Sequence, residues 1–102
     1  IVYMYDERNR LIEVDYNYFD RIIKKYIYNG STTRIDRYKE NTRNEKKITY
    51  LDRYEIQTLR TSGKIEKKVS YEPDNTLIDV KTFYYYSNDK VKEIIYKCLH
   101  RL

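Results

Sequence analysis

A chain of 102 residues with a formal net charge of +5 is long enough for one small domain, residues 1–102. It has 14 Tyr, 2 Phe, no Trp and no Ala. Ala is the best helix former, whereas Tyr, Ile, Val and Thr favour a pleated backbone. The composition therefore disfavours a helical bundle and favours an all-β fold. No apolar run approaches the ~18–20 residues of a membrane helix, so we expect no membrane span.

The first predicted element is a β-hairpin around the polar run at residues 6–9. Tyr5 and Asp6 enter this run, and Asn9, Arg10 and Leu11 leave it. The strand that follows is predicted over residues 10–19, where apolar and polar side chains alternate with a period of two. The unit of a Tyr, a short polar turn and a basic residue beside an aliphatic one recurs. Its basic-aliphatic steps fall at positions 10/11, 21/22, 34/35, 47/48, 64/65 and 90/91, with Thr76-Leu77 in the same role.

A second hairpin is predicted around Asp20-Arg21. Its strands would bring four tyrosine rings to one side of the sheet, together with Ile12, Val14 and Ile22. We expect these rings to be mostly buried and structural, because a Tyr ring packs across strands while its hydroxyl meets water or a partner. The four rings belong to Tyr16, Tyr18, Tyr26 and Tyr28.

Further hairpins are predicted at residues 29–33 and 72–75. Asn29-Gly30 supplies residues that accept a positive φ, and Pro73 presets its own φ. The next strand is predicted over residues 77–86, and Tyr54, Ile56 and Thr58 share a face of an earlier strand. Strands separated by turn signals at roughly 8–12-residue spacing favour an antiparallel meander of repeated hairpins, in an open sheet, a sandwich or a barrel.

The C-terminal segment fits two structures. The apolar positions recur with helical spacing, which favours a short C-terminal helix capped by Asn88 or Asp89. Alignment with the earlier hairpin units favours a strand, so both alternatives stay open at this point. The apolar positions are Val91, Ile94, Ile95, Cys98, Leu99 and Leu102.

The basic excess lies in the middle of the chain, where residues 24–68 hold 13 Lys/Arg and 6 Asp/Glu. Such a surface suits an acidic protein partner, or weak, salt-sensitive binding to nucleic acid. Because the charges are interspersed with acidic residues, we expect no tight or sequence-dependent nucleic-acid binding. The candidate basic residues are Lys24, Lys25, Arg34, Arg37, Lys46, Lys47, Lys64, Lys67 and Lys68.

The sequence offers no set of residues for catalysis, for a metal or for a cofactor. Cys98 is the only cysteine and His100 the only histidine, so an internal disulfide is excluded and a Cys-His pair would need a third, orienting group. No Gly-rich phosphate loop and no Ser-His-Asp set occurs. We therefore expect a protein that is not an enzyme and uses no cofactor.

The first hairpin resembles the repeat of the YD-repeat, or Rhs, family, which runs Tyr-Asp-x-x-Gly-Arg-Leu. Tyr5, Asp6, Arg10 and Leu11 match it, and Asn9 stands where the family has Gly. A contracted copy matches at Tyr18, Asp20, Arg21 and Ile22, with Phe19 inserted. Residues 42–56 are similar to the stretch that follows such repeats in the C components of insecticidal toxin complexes.

The resemblance implies a structural role. Proteins of this family form a long spiralling β-sheet that closes into a shell around a toxin domain, and relatives in animals serve cell adhesion. It also implies a bacterial protein that is secreted or lies at the cell surface, with neighbouring repeats or a toxin cargo as partners. Because the chain begins within the pattern, at Ile1, we expect a fragment or a processed piece of a larger repeat shell.

Three functions remain as hypotheses from different classes. The first is a non-enzymatic structural β-repeat segment of a protein of the Rhs or toxin-complex type. The second is a basic, Tyr-rich binding module for nucleic acid or an acidic protein, because positive charge and aromatic rings together are typical of single-strand binders. The third is a small stand-alone toxin or immunity protein.

Overall fold

The computed structural model describes residues 1–18 and 20–99, and their regular structure is entirely β. Eight antiparallel strands form one sheet in which each strand pairs with its neighbours in sequence, so the order is β1 to β8. The predictions of an all-β fold and an antiparallel meander are confirmed. The strands are β1 Val2–Tyr5, β2 Leu11–Tyr16, β3 Ile22–Asn29, β4 Thr32–Arg43, β5 Lys46–Leu59, β6 Ile65–Tyr71, β7 Leu77–Tyr85 and β8 Val91–Cys98.

Of the four predicted hairpins, those at residues 6–9, 29–33 and 72–75 lie where the turn residues placed them, and the one around Asp20-Arg21 connects β2 with β3. The hairpin at residues 29–33 is closed by Gly30 and Ser31, and Gly30 adopts a φ of 60°. A further two-residue turn, Asn44-Glu45, connects β4 and β5, and both residues have positive φ. Two positive φ angles give the backbone twist that matches two paired strands.

The sheet is a single layer with two open faces, within overall extents of 55 × 40 × 22 Å. Of the two shapes predicted beside an open sheet, neither a sandwich nor a barrel forms among the described residues. Burial is correspondingly scarce, since Val14 and Tyr54 are the only buried hydrophobic residues in the described part of the chain.

Strand register assigns the side chains to two faces, which we name after one tyrosine on each. Directly paired residues share a face, and alternate residues of one strand do as well. The Tyr26 face carries Val14, Tyr16, Ile22, Lys24, Tyr26, Tyr28, Ile35, Arg37, Arg53, Glu55, Lys68, Ser70, Asp79 and Lys81. The Tyr54 face carries Glu13, Ile23, Lys25, Arg34, Asp36, Tyr38, Tyr54, Ile56, Val69, Tyr71 and Val80.

The predicted cluster of four rings is wrong at one position. Tyr16, Tyr26 and Tyr28 share the Tyr26 face, but they are half-buried rather than mostly buried. Tyr18 is 64% exposed because β2 ends at Tyr16, where the chain turns and the Tyr18 N–H donates to the Tyr16 carbonyl at 2.9 Å. The predicted strand over residues 10–19 is therefore too long, although Phe19 itself lies outside the described residues.

The helix alternative for the C-terminal segment is wrong over Val91–Cys98, which pairs with β7 as strand β8. A helix there would leave the last edge of the β7 ladder without a partner. The apolar stripe is divided between the two sheet faces, since Ile94 pairs with Phe83 and Ile95 with Thr82. Leu102 lies outside the described residues. The Cys98/His100 pair considered in the sequence also falls partly outside them, because His100 is not described.

The hairpin of β4 and β5 extends beyond its neighbours. These strands have 12 and 14 residues, whereas β3 reaches only Lys39 of β4 and β6 reaches only Tyr54 of β5. Residues 41–50 are all exposed and form a two-stranded arm. Ile48 and Tyr50 pair with Asn41 and Lys39, so both lie on the Tyr26 face of this arm.

Candidate functional site

The predicted Tyr-Asp turn between β1 and β2 is closed by its backbone and by one carboxylate. The Asp6 N–H donates to the Arg10 carbonyl at 2.9 Å, and the Asn9 N–H donates to the Asp6 carbonyl at 3.0 Å. The Asp6 carboxylate accepts the N–H groups of Arg8 at 2.8 Å and Arg10 at 2.9 Å, and also the Arg10 guanidinium at 2.8 Å. The backbone bond from Arg10 is the main cause that lowers the pKa of Asp6, and it favours the charged carboxylate.

Three other connections repeat this backbone geometry, and we call all four the five-residue turns. In each one the first N–H donates to the fifth carbonyl, the fourth N–H donates to the first carbonyl, and the fourth residue has a positive φ. The turns are residues 6–10, 60–64, 72–76 and 86–90, with Asn9, Gly63, Asn75 and Asp89 fourth. The flanking pairs are Tyr5 with Leu11, Leu59 with Ile65, Tyr71 with Leu77, and Tyr85 with Val91.

The basic-aliphatic steps divide into three kinds, of which the step at 21/22 is one by itself, since it precedes β3 but closes no five-residue turn. Those at 10/11, 64/65 and 90/91, together with Thr76-Leu77, close a five-residue turn and start a strand. The steps at 34/35 and 47/48 lie inside β4 and β5 and mark no turn. In the four five-residue turns the residue before this step has a positive φ, whereas the residues before the steps at 21/22, 34/35 and 47/48 do not.

Three of the five-residue turns are each contacted by a different tyrosine from a neighbouring strand. The Tyr28 hydroxyl donates to the Leu11 carbonyl at 2.6 Å while the Arg10 guanidinium lies 4.7 Å from its ring centroid. Tyr85 repeats both contacts, since its hydroxyl donates to the Ile65 carbonyl and the guanidinium of Arg60 lies 5.0 Å from its ring. The Tyr54 hydroxyl donates to the side chain of Asn75 in the third turn.

The contracted copy forms a different structure. Arg21, directly before β3, binds Asp15 through two bonds of 3.0 and 2.6 Å and contacts Glu40 at 3.2 Å, so its guanidinium links β2 to β4 on the Tyr54 face. Its bonds to Asp15 lower the pKa of that carboxyl and raise the pKa of Arg21 itself. Ile22 begins β3 and Arg21 lies directly before it, while Tyr18 takes no part in the contact.

A closely packed group on the Tyr54 face surrounds Tyr54, which is 7% exposed. Its ring stacks on Tyr71 with the centroids 5.0 Å apart, and the Arg34 guanidinium lies 4.1 Å from its centroid. Arg34 in turn binds the buried Asp36 at 2.6 Å. The alternation of Tyr54, Ile56 and Thr58 indicated a shared face, but no signal in one strand reveals which neighbours cover it.

The predicted basic surface does not form one patch. Period two places Lys24, Arg37, Lys46 and Lys68 on the Tyr26 face, and Lys25, Arg34, Lys47 and Lys67 on the Tyr54 face. Lys64 closes the second five-residue turn. The sequence neighbours 24/25, 46/47 and 67/68 are therefore separated by the thickness of the sheet.

An open depression of about 300 Å³ lies on the Tyr26 face. Within residues 1–18 and 20–99, no three His, Cys, Asp or Glu side chains group in a way that could hold a metal ion. The same residues contain no helix long and apolar enough to cross a membrane. The depression is lined by Lys24, Tyr26, Ile35, Arg37, Arg53, Glu55, Gln57, Lys68 and Ser70.

Comparison of the chain with protein-family models, with curated proteins and with solved structures finds no match in any of the three. The proposals below therefore depend on the geometry of this sheet and on the resemblance of its repeats.

Proposed function

We propose that this chain is a non-enzymatic structural β-repeat segment of a bacterial protein of the Rhs or toxin-complex type. It acts as part of a scaffold or of a wall that encloses a toxin domain, in a protein that is secreted or lies at the cell surface. The observation that carries this proposal is the fourfold recurrence of one turn, with the same two backbone bonds and the same positive φ.

The first turn matches the family repeat at Tyr5, Asp6, Arg10 and Leu11, and Asn9 replaces the family's Gly. In Tyr-Asp-x-x-Gly-Arg-Leu, the Gly is the position that must adopt the left-handed backbone, and Asn9 does so with a φ of 60°. Tyr and Leu are the flanking pair, as Tyr5 and Leu11 are in the sheet. Gly63-Lys64-Ile65 supplies a second copy with the family's own glycine.

The open architecture supports a role as a wall. A meander in sequence order can be lengthened at either edge without any change in topology, so further hairpins would continue the same sheet. Both edge strands expose apolar side chains, including Val2, Met4, Val91 and Ile95 at 46–54% exposure. Exposed, apolar edges favour pairing with another strand, and natural proteins normally cover or block them.

The size of the native polypeptide tests this proposal. The 102-residue chain has a mass of 12.7 kDa. An antibody raised against it should detect a polypeptide several times larger in a denaturing gel of the source cells and their medium, because a shell wall needs many such segments. A single band at 12.7 kDa would contradict the proposal and favour a stand-alone toxin or immunity protein.

A further inference from the structure

The cations of the Tyr26 face are placed directly opposite one another. Lys24 pairs with Arg37, and Arg37 pairs with Arg53, which makes one row of three cations across β3, β4 and β5. Lys68 and Lys81 form another directly opposed pair on β6 and β7. Like charges opposite each other in an antiparallel sheet are destabilising, so this arrangement opposes folding.

The Tyr54 face is built in the opposite way. Lys25 lies between Glu13 and Asp36 in register, so the signs alternate along the row. Arg34 also binds Asp36, at 2.6 Å, on the same face. Cations and carboxylates thus alternate in this part of the Tyr54 face, so the opposition of like charges on the Tyr26 face is not a general property of this sheet.

The carboxylates on the Tyr26 face leave much of its positive charge unbalanced. Asp52, in the bulge of β5, lies 3.7 Å from the side chains of Arg37, Lys39 and Arg53. Glu55 accepts the side-chain amide of Gln57 at 2.7 Å, and Asp79 accepts a tyrosine hydroxyl at 3.1 Å. One carboxylate, Asp52, thus serves three cations.

Lysines on this face lie over aromatic rings. The ammonium groups of Lys24, Lys68 and Lys81 lie 5.8–5.9 Å from the ring centroids of Tyr16, Phe83 and Tyr96. A nucleobase that stacked on these rings would have to displace the lysines, whereas a carboxylate could approach the ammonium groups from the solvent side. This arrangement favours carboxylates over bases as the partners of the face.

We propose that the Tyr26 face is a docking surface for an acidic protein surface, centred on the depression between Lys24 and Lys68. The inference rests on the proposed function, because it gives one face of the wall its partner. Carboxylates entering the depression would lie near Lys24, Arg37, Arg53 and Lys68, beside Glu55, and would add to the partial neutralisation that Asp52 gives Arg37 and Arg53. The Tyr54 face, where Lys25 lies between two carboxylates in register and Arg34 binds Asp36, would not take part.

Two matched double variants test the proposal, because adjacent lysines of one strand lie on opposite faces. Lys24→Gln with Lys68→Gln changes the Tyr26 face, and Lys25→Gln with Lys67→Gln makes the same change of charge on the Tyr54 face. The probe is poly-L-glutamate of about 30 residues, titrated at low salt by fluorescence anisotropy. We expect the Tyr26-face variant to weaken binding by about tenfold, and the Tyr54-face variant by less than about twofold.

A stability measurement separates binding from folding. Removal of the opposed lysines should leave the unfolding midpoint unchanged or higher, since it relieves repulsion, while Lys25→Gln should lower the midpoint because it removes a charge between Glu13 and Asp36. A Tyr26-face variant that binds less and unfolds no more easily supports a recognition surface.

Three results would overturn the proposal. The first is no binding of poly-L-glutamate, and the second is equal weakening in both double variants. The third is tighter binding of a thymidine oligonucleotide of matched charge, which would assign the face to nucleic acid. None of these results bears on the mass of the native polypeptide, so the scaffold proposal fails or stands by its own experiment.

Discussion

Replacement of Tyr54 by Ala should remove a large part of the free energy of unfolding. The ring is 7% exposed, stacks on Tyr71 at 5.0 Å and holds the Arg34 guanidinium 4.1 Å above its centroid. Truncation of a buried aromatic ring costs roughly 3–5 kcal/mol, against a total of ~5–15 kcal/mol for a domain. Tyr54→Phe keeps the ring and removes only the bond from its hydroxyl to Asn75, so it should cost about 1 kcal/mol.

Urea unfolding followed by far-UV circular dichroism measures these differences. Tyr18→Ala is the matched control, because that ring is 64% exposed and should change the free energy of unfolding by less than about 0.5 kcal/mol. Tyr26→Ala should fall between the two, since Tyr26 is half-buried. If Tyr54→Ala costs no more than Tyr18→Ala, the packing around Tyr54 does not stabilise the sheet, and the argument is wrong.

Gly63→Ala should lower the free energy of unfolding by about 0.5–1 kcal/mol in the same assay, because the ~1–2 kcal/mol cost of a left-handed backbone exceeds the gain from a less flexible unfolded chain. Gly63 has a φ of 87°, and a Cβ at this position would meet no atom within 4 Å, so a loss above ~3 kcal/mol would contradict backbone strain as the cause. Asp15 binds Arg21, which lowers the pKa of Asp15 from its ordinary 3.8. The stabilisation by Asp15 is therefore complete above pH 3.8 and is lost as the pH falls through the lower folded pKa. Asp15→Asn should therefore make the unfolding midpoint depend less on pH in the acid range. The control Asp20→Asn, at an exposed carboxylate, should leave that pH dependence as in the wild type. Equal pH dependence in the wild type and in Asp15→Asn would refute the stabilisation by the Asp15–Arg21 pair.

The meander was predictable because its signals are local. A residue that tolerates positive φ, such as Gly30 or Asn75, fixes a turn, and alternation of apolar and polar residues then fixes the strands on either side. The division of Lys24 and Lys25 between two faces also follows from period two alone. These parts of the fold require no knowledge of which strands come together.

Other features depend on contacts between strands and could not be derived from one strand. The burial of Tyr54 results from Tyr71 and Arg34, which lie on β6 and β4. The end of β2 at Tyr16 follows from its pairing with Ile22, which leaves Tyr18 in a connection that the alternating pattern does not mark. The opposition of Arg37 and Arg53 depends on the register of β4 and β5, and a bulge after Arg37 shifts that register.

Amide hydrogen exchange at the two edge strands tests the structural role most directly. In the protein as its source produces it, further repeats should pair with β1 and β8, so the edge amides that point away from β2 and β7 should be protected as strongly as those of β4. In the 102-residue chain alone, the same amides should exchange rapidly while the centre of β4 stays protected. Rapid exchange of β1 and β8 in both samples would contradict a continuous sheet and with it the proposed scaffold.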